Sequence, residues 1–207
     1  MASSQGSSLS KWHRHLQCLA LGLILSASAL SHAALELKNA DKKYHPYPTL
    51  QSFCQAEADA VDISAVALQP DIWPWQENRN GRLPNFGFTG DTCWVRFNLL
   101  NKSSNAEWFM LLNYSLLGDI EVIAYHPLTP ARPIAQYHTG ADFKAAERPY
   151  DYVEFVFPLK LQQNEVTTAL LRVSGGYSVP ATMWRMSQNG IAKNGILPII
   201  IPRYSLW

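Results

Sequence analysis

Carboxylate and imidazole side chains are the first residues in this chain that could carry out chemistry. Asp119 and Glu121 stand two positions apart, so on a β-strand they would share one face. Paired carboxylates can serve glycoside hydrolysis, but alternating charges on a solvated strand face explain the pair more simply. His126 and His138 have no third candidate ligand near them in the sequence, which favours turn histidines over a metal site.

Motifs of hydrolases and of nucleotide-binding enzymes are absent from the sequence. It contains no GxSxG nucleophile elbow, no HExxH motif and no glycine-rich loop that would cradle a phosphate. We therefore predict a protein that is not an enzyme and that carries no metal and no cofactor.

Aromatic residues are more informative than the titratable ones. Trp73 and Trp75 flank a proline in a predicted loop, where their rings could contact a ligand or a partner domain. Aromatic platforms beside polar groups suit the apolar faces and hydroxyls of sugars. By contrast, Trp94, Trp108 and Trp184 lie at predicted strand positions and are expected to fill the core.

Arginine and tyrosine complete the predicted ligand site. Arg96 and Arg172 interrupt apolar strands, and each is either an outward-facing solvated residue or part of a polar pocket. In the predicted site, rings stack on the ligand and guanidinium groups hydrogen-bond its hydroxyls or carboxylates. The predicted ligand-binding residues are Trp73, Trp75, Arg96, Tyr114, Arg148 and Tyr150.

The elements that position these residues are predicted to be short strands. In CWVRFNLLN (93–101), Val95, Phe97 and Leu99 alternate with Trp94 and Arg96, the period of two that indicates a half-buried strand. Similar patterns recur in GDIEVIAYHP, PIAQYHTG, YVEFVFPLKL, VTTALLRVSG and SVPATMWRM. Seven to nine such strands predict an all-β fold, an antiparallel β-sandwich of jelly-roll type.

The segment before these strands is ambiguous. Within 49–68, QSFCQAEADA suggests a short helix, whereas AVDISAVAL alternates weakly and suggests a strand. Prolines and glycines in 69–91 predict a long loop, and residues 34–48 have room for one edge strand.

The N-terminal segment predicts export. Residues 1–33 combine a positive start, an apolar run at Leu19–Leu30 and a small-x-small site ending at Ala33. This pattern indicates a signal peptide, because the run is shorter than the ~20 residues that span a bilayer. Its removal takes the 17 basic residues to 15 against 16 acidic ones. Such a balance gives no reason to expect nucleic acid as a partner.

Cys54 and Cys93 are the two cysteines that follow this segment. In an oxidising compartment an even pair can form a disulfide. The alternative is a pair of buried thiols, and the sequence leaves both open.

The order of the strand motifs resembles one family. It reads W-x-R-F-x-L-x-N, W-F-x-L-L-x-Y-x-L-L-x-x-I-x-V, T-G-x-x-F with R-P, F-x-F-P-L, L-x-R-V and a final strand with Trp. This series is similar to the type-2 extracellular sensor domain of bacterial seven-transmembrane receptors with diverse intracellular signalling modules.

The resemblance implies a periplasmic jelly roll, similar to carbohydrate-binding modules, over residues 38–186. It further implies a small-molecule ligand such as a carbohydrate, a seven-helix membrane domain and a cytoplasmic GGDEF or histidine kinase module. The tail at 187–207 departs from the family pattern, because ILPIII is too short and too interrupted by proline to cross a bilayer. We expect a receptor cut off before its membrane region, with a disordered tail; the alternative is a secreted, free-standing carbohydrate-binding or adhesion module.

Overall fold

The structure is a computed structural model that describes the region between the predicted signal peptide and the predicted tail. The chain divides into two units, Met1–His32 and Ala33–Trp207, and the described residues belong to the second. The predicted signal peptide up to His32 and the tail after Ser187 lie outside them. The described residues are 33–38, 42–56, 61–79, 81–82, 85–150, 152, 154–174, 178–180 and 184–187, with only the backbone of 85, 88, 178–180 and 184–187.

Strands dominate the described residues, as the period-two patterns predicted. Among them, one α-helix, α1, runs from Ile63 to Leu68, and 3-10 helices cover Tyr47–Thr49, Pro70–Ile72 and Ala145–Glu147. In chain order the strands are β1 Ala34–Leu37, β2 Gln51–Gln55, β3 Gln76–Glu77, β4 Asn85–Phe88, β5 Thr92–Asn101, β6 Glu107–Leu112, β7 Asp119–Tyr125, β8 Pro133–Thr139, β9 Phe155–Lys160, β10 Val166–Ser174, β11 Ser178–Pro180 and β12 Trp184–Ser187.

The described residues form two sheets and one separate strand pair. The large sheet has the order β3-β2-β5-β10-β7-β8, and β1 pairs with the second half of β5. The smaller sheet has the order β12-β6-β9, and β4 pairs with β11. Pairing is antiparallel except between β1 and β5. The predicted all-β antiparallel sandwich is confirmed, while its jelly-roll connectivity stays a prediction.

The main core lies between the two sheets. Val95, Phe97 and Leu99 of β5 belong to the same buried cluster as Trp108 and Phe157 of the smaller sheet. Each of these side chains is at most 2% exposed. Burying one large apolar side chain contributes about 1.5–3 kcal/mol to the stability of the folded state. The core between the two sheets therefore supplies the main apolar stabilisation of the sandwich.

The opposite face of the large sheet is also covered. Trp94 and Leu170 point away from the main core and form a second cluster with Ile63, Val66 and Ala67 of α1. The helix packs over β7 and β10. The central strands are therefore buried on both faces, although antiparallel sheets commonly leave one face in water.

The two interpretations of residues 49–68 were wrong. The first half of the suggested helix, Gln51–Gln55, is strand β2, because its pairing with β5 buries Gln51 and Phe53. The remainder at 57–60 lies outside the described residues. The suggested strand contains helix α1, which begins where the Asp62 side chain accepts a hydrogen bond from the Ser64 amide at 2.7 Å. An N-cap of this kind satisfies an amide that the helix itself leaves unpaired. The predicted loop at 69–91 likewise contains β3 and β4.

Asn101, the last residue of the W-x-R-F-x-L-x-N motif, connects the turns at one end of the sandwich. It is fully buried, and its side-chain amide donates to the carbonyls of Asn105 at 2.9 Å and Leu161 at 2.8 Å. Its side-chain oxygen accepts from the Ser103 amide at 3.0 Å. Because each polar group has a partner, burying this asparagine does not carry the cost of an unsatisfied amide.

The disulfide left open by the sequence joins Cys54 to Cys93. The two residues lie directly opposite each other where β2 pairs with β5. The bond therefore ties a strand near the edge of the large sheet to its central strand.

Reducing this disulfide is expected to lower the free energy of unfolding by about 2–4 kcal/mol. The bond closes a 39-residue separation, and a closed loop restricts the unfolded chain. Urea unfolding with and without a reductant measures the loss. A Cys54→Ala, Cys93→Ala double variant is the control, because its stability must not respond to the reductant. An equal response in both proteins would contradict the prediction.

Gly140, in the T-G-x-x-F motif, allows a close approach of two backbone segments. The Ala141 amide donates to the Leu117 carbonyl at 2.6 Å and the Asp142 amide to the Gly118 carbonyl at 3.1 Å. Gly140 itself has φ of 157°. A Cβ atom at this position would overlap the carbonyl oxygen of Gly118.

Gly140→Ala is therefore expected to cost more than about 2 kcal/mol of unfolding free energy, through backbone strain and overlap. The matched control is Gly90→Ala, since a Cβ there meets nothing within 4 Å. That change should stay within about 0.5 kcal/mol. Chemical denaturation of both variants checks the difference, and equal stabilities would refute the steric argument.

Candidate functional site

The segment after α1 places both loop tryptophans over the outer face of the large sheet. Phe53 of β2 is the centre of their contacts. Trp73 stacks on Phe53 with ring centroids 5.8 Å apart, and Trp75 meets it edge-on at 4.7 Å. Phe53 also stacks with Trp94 at 6.0 Å. The two tryptophans are partly exposed, so they form the roof of the second hydrophobic cluster and also line the surface.

A local hydrogen bond fixes the position of Trp75. The Trp75 indole N–H donates to the carbonyl of Pro70 at 2.7 Å, closing the loop on the 3-10 helix that proline begins. The Trp73 indole nitrogen is buried and has no hydrogen-bond partner among the described residues. Each indole carries a single N–H donor, so only Trp75 is held by such a bond here.

Arg96 lies against Trp75. The centre of its guanidinium is 4.3 Å from the centroid of the Trp75 ring, within the range of a cation–π contact. Its Nε donates to Gln51 Oε1 at 2.7 Å and its Nη1 to the Pro70 carbonyl at 3.3 Å. Desolvation lowers the pKa of Arg96 from its ordinary value. Arg96 is therefore half-buried and hydrogen-bonded, and not an outward-facing solvated residue.

The other three predicted residues lie elsewhere. Tyr114 packs against the main core. Tyr150 meets Phe109 edge-on at 5.7 Å, on the face of the smaller sheet that points away from the main core. Arg148 lies 4.6 Å over the Phe155 ring, and its Nη1 donates to a backbone carbonyl at 3.3 Å. The structure therefore brings Trp73, Trp75 and Arg96 together and does not join the other three to them.

A second polar cluster on the outer face of the large sheet joins Arg172 to the two carboxylates that the sequence placed on one strand face. Arg172 donates from Nη1 to Glu121 Oε2 at 2.7 Å and from Nη2 to Asp119 Oδ2 at 3.2 Å. His138 Nε2 lies 2.8 Å from Asp119 Oδ1, and the Phe143 ring packs edge-on against the imidazole at 4.6 Å. The two-residue spacing of the carboxylates was the available signal, but their cross-strand arginine was not identifiable.

This cluster does not pair the two histidines considered in the sequence. His138 lies opposite Glu121, near the start of β7, whereas His126 follows the end of β7 and accepts from the Leu128 amide at 3.3 Å. Within the part of the chain that the structure describes, no group of three His, Cys, Asp or Glu side chains is placed to hold a metal ion.

Comparison with protein families identifies the domain. Residues 51–185 match the 7TMR-DISM extracellular 2 family. The chain belongs to this family. The match runs from β2 into β12 and includes Trp73, Trp75 and Arg96. A comparison with curated proteins gave no match.

Family membership sets the cellular context. The 7TMR-DISM extracellular 2 domain is a sensor domain of membrane receptors that also have a seven-helix region and intracellular modules. It is an exported domain that faces the periplasm. Among the described residues no helix is long and apolar enough to cross a membrane.

Tyr125, in the second hydrophobic cluster, gives a pH-dependent test of this region. Burial raises its pKa to about 12, and the nearby Arg96 charge acts in the opposite direction. Because the folded state favours the neutral phenol, the shifted pKa of Tyr125 contributes to the free energy of unfolding. This contribution is complete below pH 10 and is lost as the pH rises through about 12. The loss should reach about 2–3 kcal/mol.

Urea unfolding of the wild type and of Tyr125→Phe at intervals from pH 9 to pH 12 measures this effect. The stability of Tyr125→Phe should decline less steeply over that range, because it lacks the titrating phenol. Parallel curves for the two proteins would show that the pKa of the Tyr125 phenol does not differ between the folded and unfolded states.

Proposed function

We propose that this domain is the periplasmic ligand-binding part of a membrane signalling receptor, and that it binds a small polar molecule such as a carbohydrate without catalysing a reaction. The observation that carries the proposal is the juxtaposition of Trp75 and Arg96 on a partly exposed surface. An aromatic ring offers a stacking surface to a sugar, and a guanidinium and a glutamine offer polar contacts that fix its orientation.

The position of the site supports a role in signalling. Arg96 is on β5, its partner Gln51 is on β2, and its second acceptor Pro70 begins the loop that carries Trp75. A ligand that contacts this point therefore touches three chain segments at once. It would favour whichever receptor conformation holds these segments in the binding geometry, in proportion to its differential affinity for the two states.

Removal of an aromatic ring provides the test. The protein, exported by a bacterial host and purified from its periplasm, is titrated calorimetrically with neutral and acidic monosaccharides. For any sugar that binds, Trp75→Leu is expected to weaken binding about tenfold or more, because a stacked ring contributes roughly 1–2 kcal/mol.

The matched control is Phe109→Leu. Phe109 is another partly buried aromatic side chain, but it lies in the cluster on the outer face of the smaller sheet. Its replacement should leave the affinity unchanged. Weakening by Phe109→Leu with no effect of Trp75→Leu would move the site to the opposite sheet, and silence of the wild type across the whole panel would refute small-sugar binding.

A further inference from the structure

Two arginines on the same face of the large sheet have different electrostatic surroundings. Arg172 contacts two carboxylates, with N–O distances of 2.7 Å to Glu121 and 3.2 Å to Asp119. Arg96, on the neighbouring strand, donates to two neutral acceptors among the described residues, the Gln51 side chain and the Pro70 carbonyl. Within the described residues no carboxylate lies within 4.0 Å of its guanidinium.

A partly buried guanidinium has lost part of its hydration, and neutral acceptors compensate that loss less fully than a carboxylate would. Only the Nε edge and one Nη1 donor of Arg96 have acceptors, so its Nη2 has no hydrogen-bond partner among the described residues. One side of the group lies against the Trp75 ring. Nη2 and the second N–H of Nη1 remain for a ligand, and a pair of N–H donors on one guanidinium matches the two oxygens of a carboxylate.

We propose that the Arg96–Trp75–Gln51 site recognises a carboxylate-bearing small molecule, with the carboxylate on the Nη1–Nη2 end of Arg96 and the remainder of the ligand against the tryptophans. This inference rests on the proposed function and narrows its ligand class from polar molecules to anions. Gln51 holds the Nε edge at 2.7 Å and so orients the guanidinium before the ligand arrives, which reduces the ordering cost of binding.

Asp71 offers a sharper diagnostic than Arg96 alone. This exposed carboxylate lies in the 3-10 helix Pro70–Ile72, next to the Pro70 carbonyl that Arg96 contacts, and its charge acts to raise the pKa of Arg96. If the ligand is anionic, Asp71 repels it, and Asp71→Asn strengthens binding. A residue with a merely structural role would not produce a gain of affinity for the anion alone.

The experiment compares D-glucuronate with D-glucose, which share a ring and differ by the carboxylate at C6, and with glycolate as a carboxylate that lacks the ring. Wild-type protein is titrated with each by calorimetry in a buffer free of carboxylates. Glucuronate is expected to bind about tenfold or more tightly than glucose, the factor that a charge-assisted bidentate contact provides. Tighter binding of glycolate than of glucuronate would assign the site to simple organic acids. It would still support the proposal that the site recognises a carboxylate.

Variants then test whether Arg96 is the residue that distinguishes glucuronate from glucose. Arg96→Gln should abolish the preference for glucuronate, whereas Arg96→Lys should retain part of it. The lysine ammonium still attracts the carboxylate but lacks the two parallel N–H donors of a guanidinium. Asp71→Asn should strengthen glucuronate binding about twofold and leave glucose binding unchanged. Arg132→Gln removes an exposed arginine in the loop between β7 and β8 and should change neither ligand.

The outcomes separate this inference from the proposed function. Equal affinity for glucose and glucuronate overturns the carboxylate proposal and leaves sugar binding intact. A preference for glucuronate that survives Arg96→Gln overturns the assignment to Arg96. Absence of binding by all three compounds and by the wider sugar panel overturns both. If Arg96→Gln fails to fold, the wild-type comparison and Asp71→Asn still decide, since neither disturbs the guanidinium.

Discussion

The pairing of β5 along both of its edges is the constraint on which the rest of the structure depends. β10 lies on one side, while β2 and β1 share the other. Because side chains alternate along a strand, this register sends Phe97 into the main core and Trp94 and Arg96 to the opposite face. A slip of one residue would exchange the two faces, placing a guanidinium in the main core. The disulfide from β2 to β5 works against such a slip.

Burial of the large sheet on both faces explains how a small domain can leave an aromatic surface partly exposed. The main core stabilises the sandwich, so the second cluster under α1 does not have to be closed. Its roof, formed by Trp73 and Trp75, stays partly exposed and carries Arg96 at its edge. The same face holds the ionic cluster around Arg172, where two carboxylates neutralise the arginine. The charge of Arg172 is therefore compensated by carboxylates within the fold, whereas Arg96 has no carboxylate within 4.0 Å among the described residues.

Several residues of the family motifs have a structural role. The asparagine that ends the first motif is buried and fully hydrogen-bonded, and it connects the β5–β6 turn to the segment after β9. The glycine of the T-G-x-x-F motif permits a backbone approach that a side chain would block. The phenylalanine of that motif covers His138. These positions serve the architecture, whereas Trp75 and Asp71 lie in the loop where ligand specificity is proposed to reside.

The sequence by itself determined the strands whose side chains alternate, because a period of two depends only on neighbouring residues. It therefore predicted the faces of β5 and β7, the burial of Trp94 and Trp108, and the sandwich. Only the tertiary structure decided that 51–55 is a strand and 63–68 a helix, since pairing with β5 and a single cap outweigh weak local preferences. It likewise separated Tyr114, Arg148 and Tyr150 from the tryptophan loop and gave Arg172 its two carboxylates. Those contacts join residues far apart in the chain, and their partners are selected by strand register, which no local pattern encodes.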